Sequence, residues 1–445
     1  MKVIFAIDYG NGYAKENEIP WNNKEDMKHF KEKTTNNIVI MGHNTWKSLP
    51  IKPLPNRINI VVSTTYENKN INPHIVCKSL LEAYEYTKEW TNKDTYVIGG
   101  SNLIYEALSL NLINELYITM IKGNYNCDKT INLEFHKFEF IDSTPINNAD
   151  IYHYSIKTPE ICYLNLLENI LSKGNTRTDR TQIGTISNFG NFIEFDIRNS
   201  IPLLTTKKVA WKTCIKELLW FLKGSTDANL LKKENVNIWN GNSSREFLDN
   251  RGLVHYKEGD IGPLYGFSWR HFGANYINCD TDYSGQGFDQ IKYIENELIN
   301  NPTSRRIYLS AWNPCDMNKC AIMPCHVSIQ FYVEDNMLSS HVYMRSADTF
   351  LGLPFNIFSY AVLTYLFAKK TKLIPNKMCF SIGDAHIYNN HLDQVKMLLN
   401  RKPFGLPQLE INDNVINKDW NEITLDDFNL KNYVAHPSIK AEMAV

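Results

Sequence analysis

The sequence predicts an α/β domain over residues 1–154, followed by a larger unit of helices and strands over residues 161–445. Three observations predict this. Short β-branched runs alternate with candidate helices in the first third of the chain. One such run passes through Ile98-Gly99-Gly100-Ser101 into the helical apolar pattern Leu103, Ile104, Ala107, Leu108. Beyond residue 160 come nearly apolar helical stretches interspersed with longer strand-like runs.

In chain order, Met1 through Asp8 reads as a first strand, because its apolar run breaks too early for a signal peptide. Asp26 through Lys33 fits a helix, with Met27 and Phe30 on one face. Strands are predicted at Ile38-Val39-Ile40, Ile58 to Val62 and Thr95 to Ile98, with a helix from Leu80 to Trp90. Phe138 to Phe140 and Ile151 to Tyr154 close the domain, and a short linker spans 155–160. The second unit then has helices at Ile161–Leu171, Cys214–Leu222, Asp289–Leu298 and Phe358–Lys369, the last placed at the centre of the core. Its strands are predicted at Arg306–Ser310, His326–Val333 and Ser339–Arg345.

A formal net charge of -1 argues against a general nucleic-acid binder, which needs a basic excess to neutralise phosphates. No apolar stretch is long enough to span a bilayer. Nine scattered cysteines, an odd number, point to free thiols in a reducing, cytoplasmic setting.

Pro324-Cys325-His326 carries the clearest chemistry. Ser304-Arg305-Arg306 precedes it, and Arg345-Ser346-Ala347-Asp348 follows. Positive charge favours a thiolate, and arginine is the usual bidentate partner of phosphate. A lone Cys325 would read as a small buried hydrophobe; the arginines turn the reading toward a nucleophile acting on an anion. In the first domain, Asp26 at the start of an apolar-faced helix is either a dipole-stabilised acid or a proton donor with a raised pKa. The Gly99-Gly100 turn is either a tight turn or a backbone approach to a phosphate.

Residues 1–153 resemble a dihydrofolate reductase. The resemblance rests on Ile19-Pro20-Trp21-Asn22, Asp26, Ile40-Met41-Gly42, Thr45-Trp46, Leu54-Pro55-Asn56-Arg57 and Ile98-Gly99-Gly100. It implies a central mixed sheet and reduction of dihydrofolate by NADPH. By the match, Asp26 holds the pterin and assists proton delivery, Thr119 braces it, and Met27, Phe30 and Ile98 line the folate pocket. Arg57 clamps the glutamate carboxylate, and Ala6 borders the nicotinamide region. Gly42, Thr45, Gly99 and Gly100 face the cofactor phosphates, and Tyr105 is placed near the nicotinamide. His43 stands where the family commonly has arginine or lysine beside the 2'-phosphate, with Ser63 and Thr64 as further donors.

Residues 161–445 resemble thymidylate synthase, which implies an α+β fold. The carriers are Glu217-Leu218-Leu219-Trp220, Tyr265-Gly266, Trp269-Arg270, Asp289-Gln290, Ser304-Arg305-Arg306, Pro324-Cys325-His326 and Arg345-Ser346. Further matches are Asp348, Leu353-Pro354-Phe355-Asn356, Gly383 to Tyr388 and the terminal Met443-Ala444-Val445. The resemblance implies that Cys325 adds to dUMP, with 5,10-methylenetetrahydrofolate as one-carbon donor. Arg180 and Arg345, with Arg305 and Arg306 from a partner subunit, then grip the phosphate. Asn356 reads the uracil edge, His386 and Tyr388 hold the deoxyribose, and Ser346 and Gln330 complete the nucleotide pocket. Glu217 and Tyr265 serve proton transfer, Asp348 and Trp239 contact the pterin, and the tail ending at Val445 closes the site. A homodimer through this domain is implied. One departure follows Asp179-Arg180-Thr181, where Gln182 replaces the family's usual glycine.

Two rival readings concern the second unit. Cys315, Cys320 and Cys325 recur every five residues, wider than the Cys-x2-4-Cys pairs of structural zinc, so no metal is predicted. The basic run Lys369-Lys370-Thr371-Lys372 reads as a solvated face, with dihydrofolate steering or RNA binding as its alternatives.

Overall fold

The computed structural model describes residues 1–65, 74–90, 92–133, 138–178 and 182–443. The chain divides into two compact units, Met1–Thr158 and Pro159–Val445.

In the first unit eight strands form one sheet. Their spatial order is His74–Cys77, Ile58–Val62, Ile38–Gly42, Thr95–Val97, Lys2–Asp8, Glu115–Ile121, Ala149–Ile156 and Phe138–Ile146. The first six run parallel and the last two are antiparallel to their neighbours, so the sheet is mixed. Ile38 through Met41 are buried at every position, which is why this strand reads as a continuous apolar run. Helix Lys24–Thr34 starts where the Asn23 side chain accepts from the backbone N–H groups of Glu25 and Asp26. That cap satisfies two orphan donors and fixes Asp26 in the first turn.

The predicted linker is shorter in the structure. The last strand continues through Ile156, whose N–H donates to Asn114 O at 2.8 Å, and the next helix already begins at Glu160. The Glu160 carboxylate is buried and accepts from the backbone and hydroxyl of both Thr205 and Thr206. This helix start is therefore built into the core of the second unit.

The second unit carries a six-stranded sheet in the order Asn175–Arg177, Thr185–Asp196, Ile374–Tyr388, Met337–Asp348, His326–Glu334, Tyr308–Ser310. Only the central pair, Met337–Asp348 with Ile374–Tyr388, is parallel. Helix Gly352–Thr371 makes that crossover. It is apolar all round and buries Leu353, Phe358, Leu363 and Phe367 completely, as a core helix must. One sheet face packs on helices. The other presents Phe192, Tyr308, Tyr332, His341 and Tyr343 to the outside.

The basic run is not a uniform solvated face. Lys370 is buried, donates to the carbonyls of Val415 and Lys418, and lies 3.4 Å from Glu295. Lys369 pairs with Asp413. The helix turns Lys370 inward because its neighbours on that side, Phe367 and Leu366, are core residues. No helix among the described residues is long and apolar enough to cross a membrane.

Candidate active sites

In the first unit the site residues collect at the C-terminal ends of the parallel strands, where open α/β sheets place their ligands. Ala6 and Thr119 are register partners on adjacent strands. Thr119 is buried and hydrogen-bonds Asp26. Burial raises the Asp26 pKa, and the Thr119 hydroxyl opposes that rise. The Trp21 indole N–H is buried with no protein partner, which fits a polar ligand or water. Met27 is exposed, while Phe30 and Ile98 each pack against the core cluster that holds Met41 and Trp46. The Arg57 guanidinium donates to the Thr34 hydroxyl and to the carbonyls of Lys31 and Pro55, which fixes it beside the end of helix Lys24–Thr34.

The glycines form one cleft. Gly42 N–H donates to Gly99 O at 2.8 Å, and the Gly99–Gly100 peptide is cis. Gly99 has φ +133°, and a Cβ there would stand 3.2 Å from Thr45 Oγ1. Helix Ser101–Ser109 begins directly after, so its N-terminal N–H groups face the same cleft. These features fit a dinucleotide pyrophosphate.

Parallel register also lines up the edge of the cleft. Gly42 pairs with Val62, and Val62 with Cys77. His43, Ser63 and Lys78 therefore follow side by side at three neighbouring strand ends. Burial and the Lys47 charge hold the His43 pKa below its usual value. Lys78, exposed at the third of these strand ends, was not read from the sequence. Thr64, one residue beyond Ser63, is exposed.

Tyr105 does not reach this cleft. It is 40% exposed, and its hydroxyl accepts from Asn132 N–H at 2.8 Å. Leu103, Ile104 and Ala107 take the buried side of the helix, which turns Tyr105 outward. The aromatic hydroxyl at the glycine turn is Tyr13, 2.9 Å from Ser101 Oγ.

In the second unit Cys325 lies just before strand His326–Glu334. Arg345 spans the turn that carries it: Nε donates to Pro324 O at 2.8 Å, Nη2 donates to Met323 O at 2.9 Å, and Nη2 lies 3.8 Å from Cys325 Sγ. The Tyr265 hydroxyl accepts the Cys325 backbone N–H at 2.8 Å. His326 is buried, its pKa is pushed down to about 3, and its Nδ1 is 2.6 Å from the Tyr360 hydroxyl. Glu217 is half-buried on helix Trp211–Leu222; loss of water around its carboxyl pushes the pKa up to about 7, while the Trp239 indole N–H donates to it at 2.7 Å. Glu217, His326, Asn356, Ser359 and Tyr360 line one small cavity. Ser359 Oγ is buried there with no partner and was not read from the sequence.

Which family places a cysteine under an arginine beside a half-buried glutamate, on a chain that also holds the glycine cleft? The dihydrofolate reductase family model matches residues 1–160, and the thymidylate synthase family model matches residues 161–445. The chain belongs to the bifunctional dihydrofolate reductase–thymidylate synthase family. It is 41% identical to the bifunctional enzyme of Paramecium tetraurelia, over all of this chain and 98% of that relative. It is 39% identical to that of Daucus carota, over all of this chain and 96% of the relative. With that of Plasmodium chabaudi the identity is 34%, over 97% of this chain and 94% of the relative. The reductase half reduces dihydrofolate to tetrahydrofolate with NADPH, and the synthase half methylates dUMP to dTMP with methylenetetrahydrofolate.

The remaining synthase residues fall in two groups. Register pairs Ser346 with Asp384, Asp348 with His386, and Thr185 with Tyr388, so Ser346, His386 and Tyr388 share one end of the sheet with Cys325 and Arg345. His386 Nδ1 is 3.2 Å from Asp384 Oδ1, and Arg177 pairs with the same carboxylate at 3.0 Å. Gln330 does not join them. It is exposed on the open sheet face between its register partners Tyr308 and His341, because strand alternation sends position 330 away from the core that Ile329 and Phe331 enter. Arg305 and Arg306 are exposed on the turn leading into strand Tyr308–Ser310. Arg180 and Val445 lie outside the described residues. A further cavity, lined by Arg198, Lys369 and Asp413 among others, lies elsewhere in the second unit; there Lys369 pairs with Asp413, and Arg198 with Asp196.

Proposed function

We propose that Cys325 is the synthase nucleophile and that the reductase proton passes through Asp26. The placement of Arg345 carries the first assignment. Its guanidinium holds the Cys325 turn and lies beside the sulfur, which favours a thiolate there. The thiolate adds to carbon 6 of the uracil ring, and carbon 5 becomes an enolate-like nucleophile. Asn356 donates and accepts at the uracil N3–H and O4. Glu217, with a pKa near neutrality, holds and returns a proton across its cavity. Arg345 with Ser346, His386 and Tyr388 forms the nucleotide site. Methylenetetrahydrofolate supplies the one-carbon unit and the reducing equivalents.

In the reductase, NADPH supplies hydride when bound. Asp26, braced by Thr119, holds the pterin and relays a proton, and Arg57 meets the glutamate carboxylate. His43, Ser63 and Lys78 meet the 2'-phosphate. Cysteine-to-serine substitution at position 325 tests the synthase assignment. C325S should form no dTMP and no covalent nucleotide adduct while reducing dihydrofolate at the normal rate. Adduct formation by C325S would remove Cys325 from the role.

The open sheet face supports a homodimer. Phe192, Tyr332 and Tyr343 are 60%, 58% and 43% exposed on one face, an apolar patch that a second copy would cover. Arg305 and Arg306 sit at its edge and would reach the partner's nucleotide site. Mixing C325S with R305A/R306A tests this. Each is expected to be inactive alone, and the mixture should regain dTMP formation if arginine and cysteine come from different copies. The free thiols suit a reducing compartment, which we assign as cytoplasmic.

A further inference from the structure

His386 is held from several sides at the end of strand Ile374–Tyr388, and only 9% of it is exposed. Its carbonyl accepts the Thr349 backbone N–H at 2.9 Å and the Thr349 hydroxyl at 2.8 Å. Its ring stands edge-on to Tyr388, with centroids 5.1 Å apart and planes at 85°. Ring Nδ1 meets Asp384 Oδ1 at 3.2 Å, and the two side chains share one face of the strand because they stand two residues apart. The other ring nitrogen, Nε2, hydrogen-bonds no described residue.

Asp384 is fixed in turn. A Cβ at Gly383 would stand 2.8 Å from Arg345 O, so this strand lies close against the one carrying Arg345 only because position 383 is glycine. Arg177 Nη1 donates to Asp384 Oδ2 at 3.0 Å, reaching past the intervening strand Thr185–Asp196, whose Ser187 side chain also bonds the carboxylate. The His386 hydrogen bond, more than Arg177 or Ser187, holds the Asp384 pKa below its usual value against the effect of burial. An ionised carboxylate only accepts, so Nδ1 carries the ring proton and the neutral ring keeps its lone pair at Nε2. The sugar of dUMP bears the phosphate on its 5'-carbon and no oxygen on its 2'-carbon. Its one hydroxyl, on the 3'-carbon, is the donor that such an acceptor takes.

We propose that Asp384 is a positioning residue that fixes the ring and the tautomer of His386, so that Nε2 selects nucleotides with a free 3'-hydroxyl. This rests on the assignment of His386 to the deoxyribose. A sugar without that donor leaves Nε2 buried and unpaired, and a site built around a hydrogen bond discriminates strongly against such a ligand. The Arg177 side chain is 59% exposed, so its own share of the effect is small. Cys325 and Glu217 act at the base through other groups and stay outside this relation.

The test titrates the full chain, D384A and H386A with dUMP, with its 3'-deoxy analogue and with its 3'-deoxy-3'-fluoro analogue. The parent is expected to hold dUMP roughly tenfold or more tightly than the 3'-deoxy analogue, the usual worth of a hydrogen bond whose loss strands a buried group. The fluoro analogue accepts but cannot donate, so it should bind no better than the 3'-deoxy one. D384A should weaken dUMP about tenfold, leave the 3'-deoxy analogue as it was, and so lose the discrimination. The loss should enter the KM for dUMP more than kcat. In H386A the further change D384A should cost nothing. D384N keeps an oxygen for the Nδ1 proton, should lose less, and stands in for D384A if that chain does not fold. Fluoro analogue binding that matches dUMP would overturn the tautomer. An unchanged ratio of dUMP to 3'-deoxy affinity in the Asp384 variant, or equal losses for both nucleotides, would overturn the positioning role. H386A separates the two assignments. If H386A abolishes the discrimination and the Asp384 variant does not, the positioning role alone is wrong; if H386A keeps it, the deoxyribose assignment is wrong and the positioning role goes with it.

Discussion

The imidazole of His326 lies flat on the ring of Tyr265, with centroids 3.8 Å apart and planes within 5°. The stack holds the Tyr265 hydroxyl against the Cys325 N–H and the His326 Nδ1 against Tyr360. Burial keeps His326 neutral, with a pKa of about 3, and pushes the Tyr265 phenol well above its usual value. Neither ring changes charge near neutral pH. The synthase pH–rate profile between pH 6 and 8 should therefore follow Glu217. In E217Q the residual rate should lose its inflection near pH 7, and in H326N the inflection should stay. An inflection that disappears in H326N would reassign it.

Glu217 also makes stability depend on pH. Its folded pKa, about 7, is raised above the ordinary glutamate value of 4.5. For a raised carboxyl, stability is fully present below the unfolded pKa and is lost as pH rises through the folded one. Ionising it costs on the order of 3 kcal/mol, fully felt above pH 7. E217Q should unfold at higher denaturant than the parent at pH 8 and at a similar midpoint at pH 4.5. Equal midpoints at pH 8 would show that Glu217 is solvated there.

The Trp239 N–H stabilises the charged form of Glu217. W239F should move the synthase pH–rate inflection upward by up to about one unit, the worth of one hydrogen bond to a charged group. A downward move would contradict the donor geometry.

NADPH preference should rest on Lys78 more than on His43, since burial and Lys47 hold the histidine neutral. K78A should raise the KM for NADPH roughly tenfold, equivalent to about 1.4 kcal/mol, and leave that for NADH unchanged. H43A should have a smaller effect at pH 8 than at pH 5.5.

Asp26 couples a raised pKa to a single hydroxyl partner, Thr119. D26N should lower dihydrofolate reduction about 100-fold or more at neutral pH, the usual range for a general acid. dTMP formation by the same chain should not change.

Gln182 takes φ 63°, the left-handed region, where the family usually places glycine. A non-glycine residue there costs roughly 1 kcal/mol. Q182G should raise the unfolding midpoint of the synthase unit. No gain would mean that the glutamine side chain makes a compensating contact in the nucleotide-bound enzyme.

Much of this was legible in the residues. Strand Ile58–Val62 is where its β-branched run places it, and helix Gly352–Thr371, 20 residues long, contains the whole predicted stretch Phe358–Lys369. Burial on every side writes itself into composition, so such elements can be read locally. Of two long strands of the synthase sheet, Thr185–Asp196 was not read from the sequence at all, and Ile374–Tyr388 was read only through the motif Gly383 to Tyr388. The first carries Asn188, Asn191 and Gly190, and the second Gly383 and Asp384, which speak for turns when read alone. The sheet overrides them through the register that pairs Phe189 with Asp384 and Asn191 with Ile382.

By itself the sequence determined the two families and their order, because their motifs stand in one ordered set along the chain. Only the tertiary structure decided which neighbours serve the site residues. Lys78 stands in one row with His43 and Ser63 through strand register, Tyr13 and not Tyr105 meets the glycine turn through helix phase, and Gln330 faces outward through strand alternation. His391 reaches the Glu442 carbonyl across 51 residues of chain. Such relations arise from how elements pack, and no local pattern of residues encodes them.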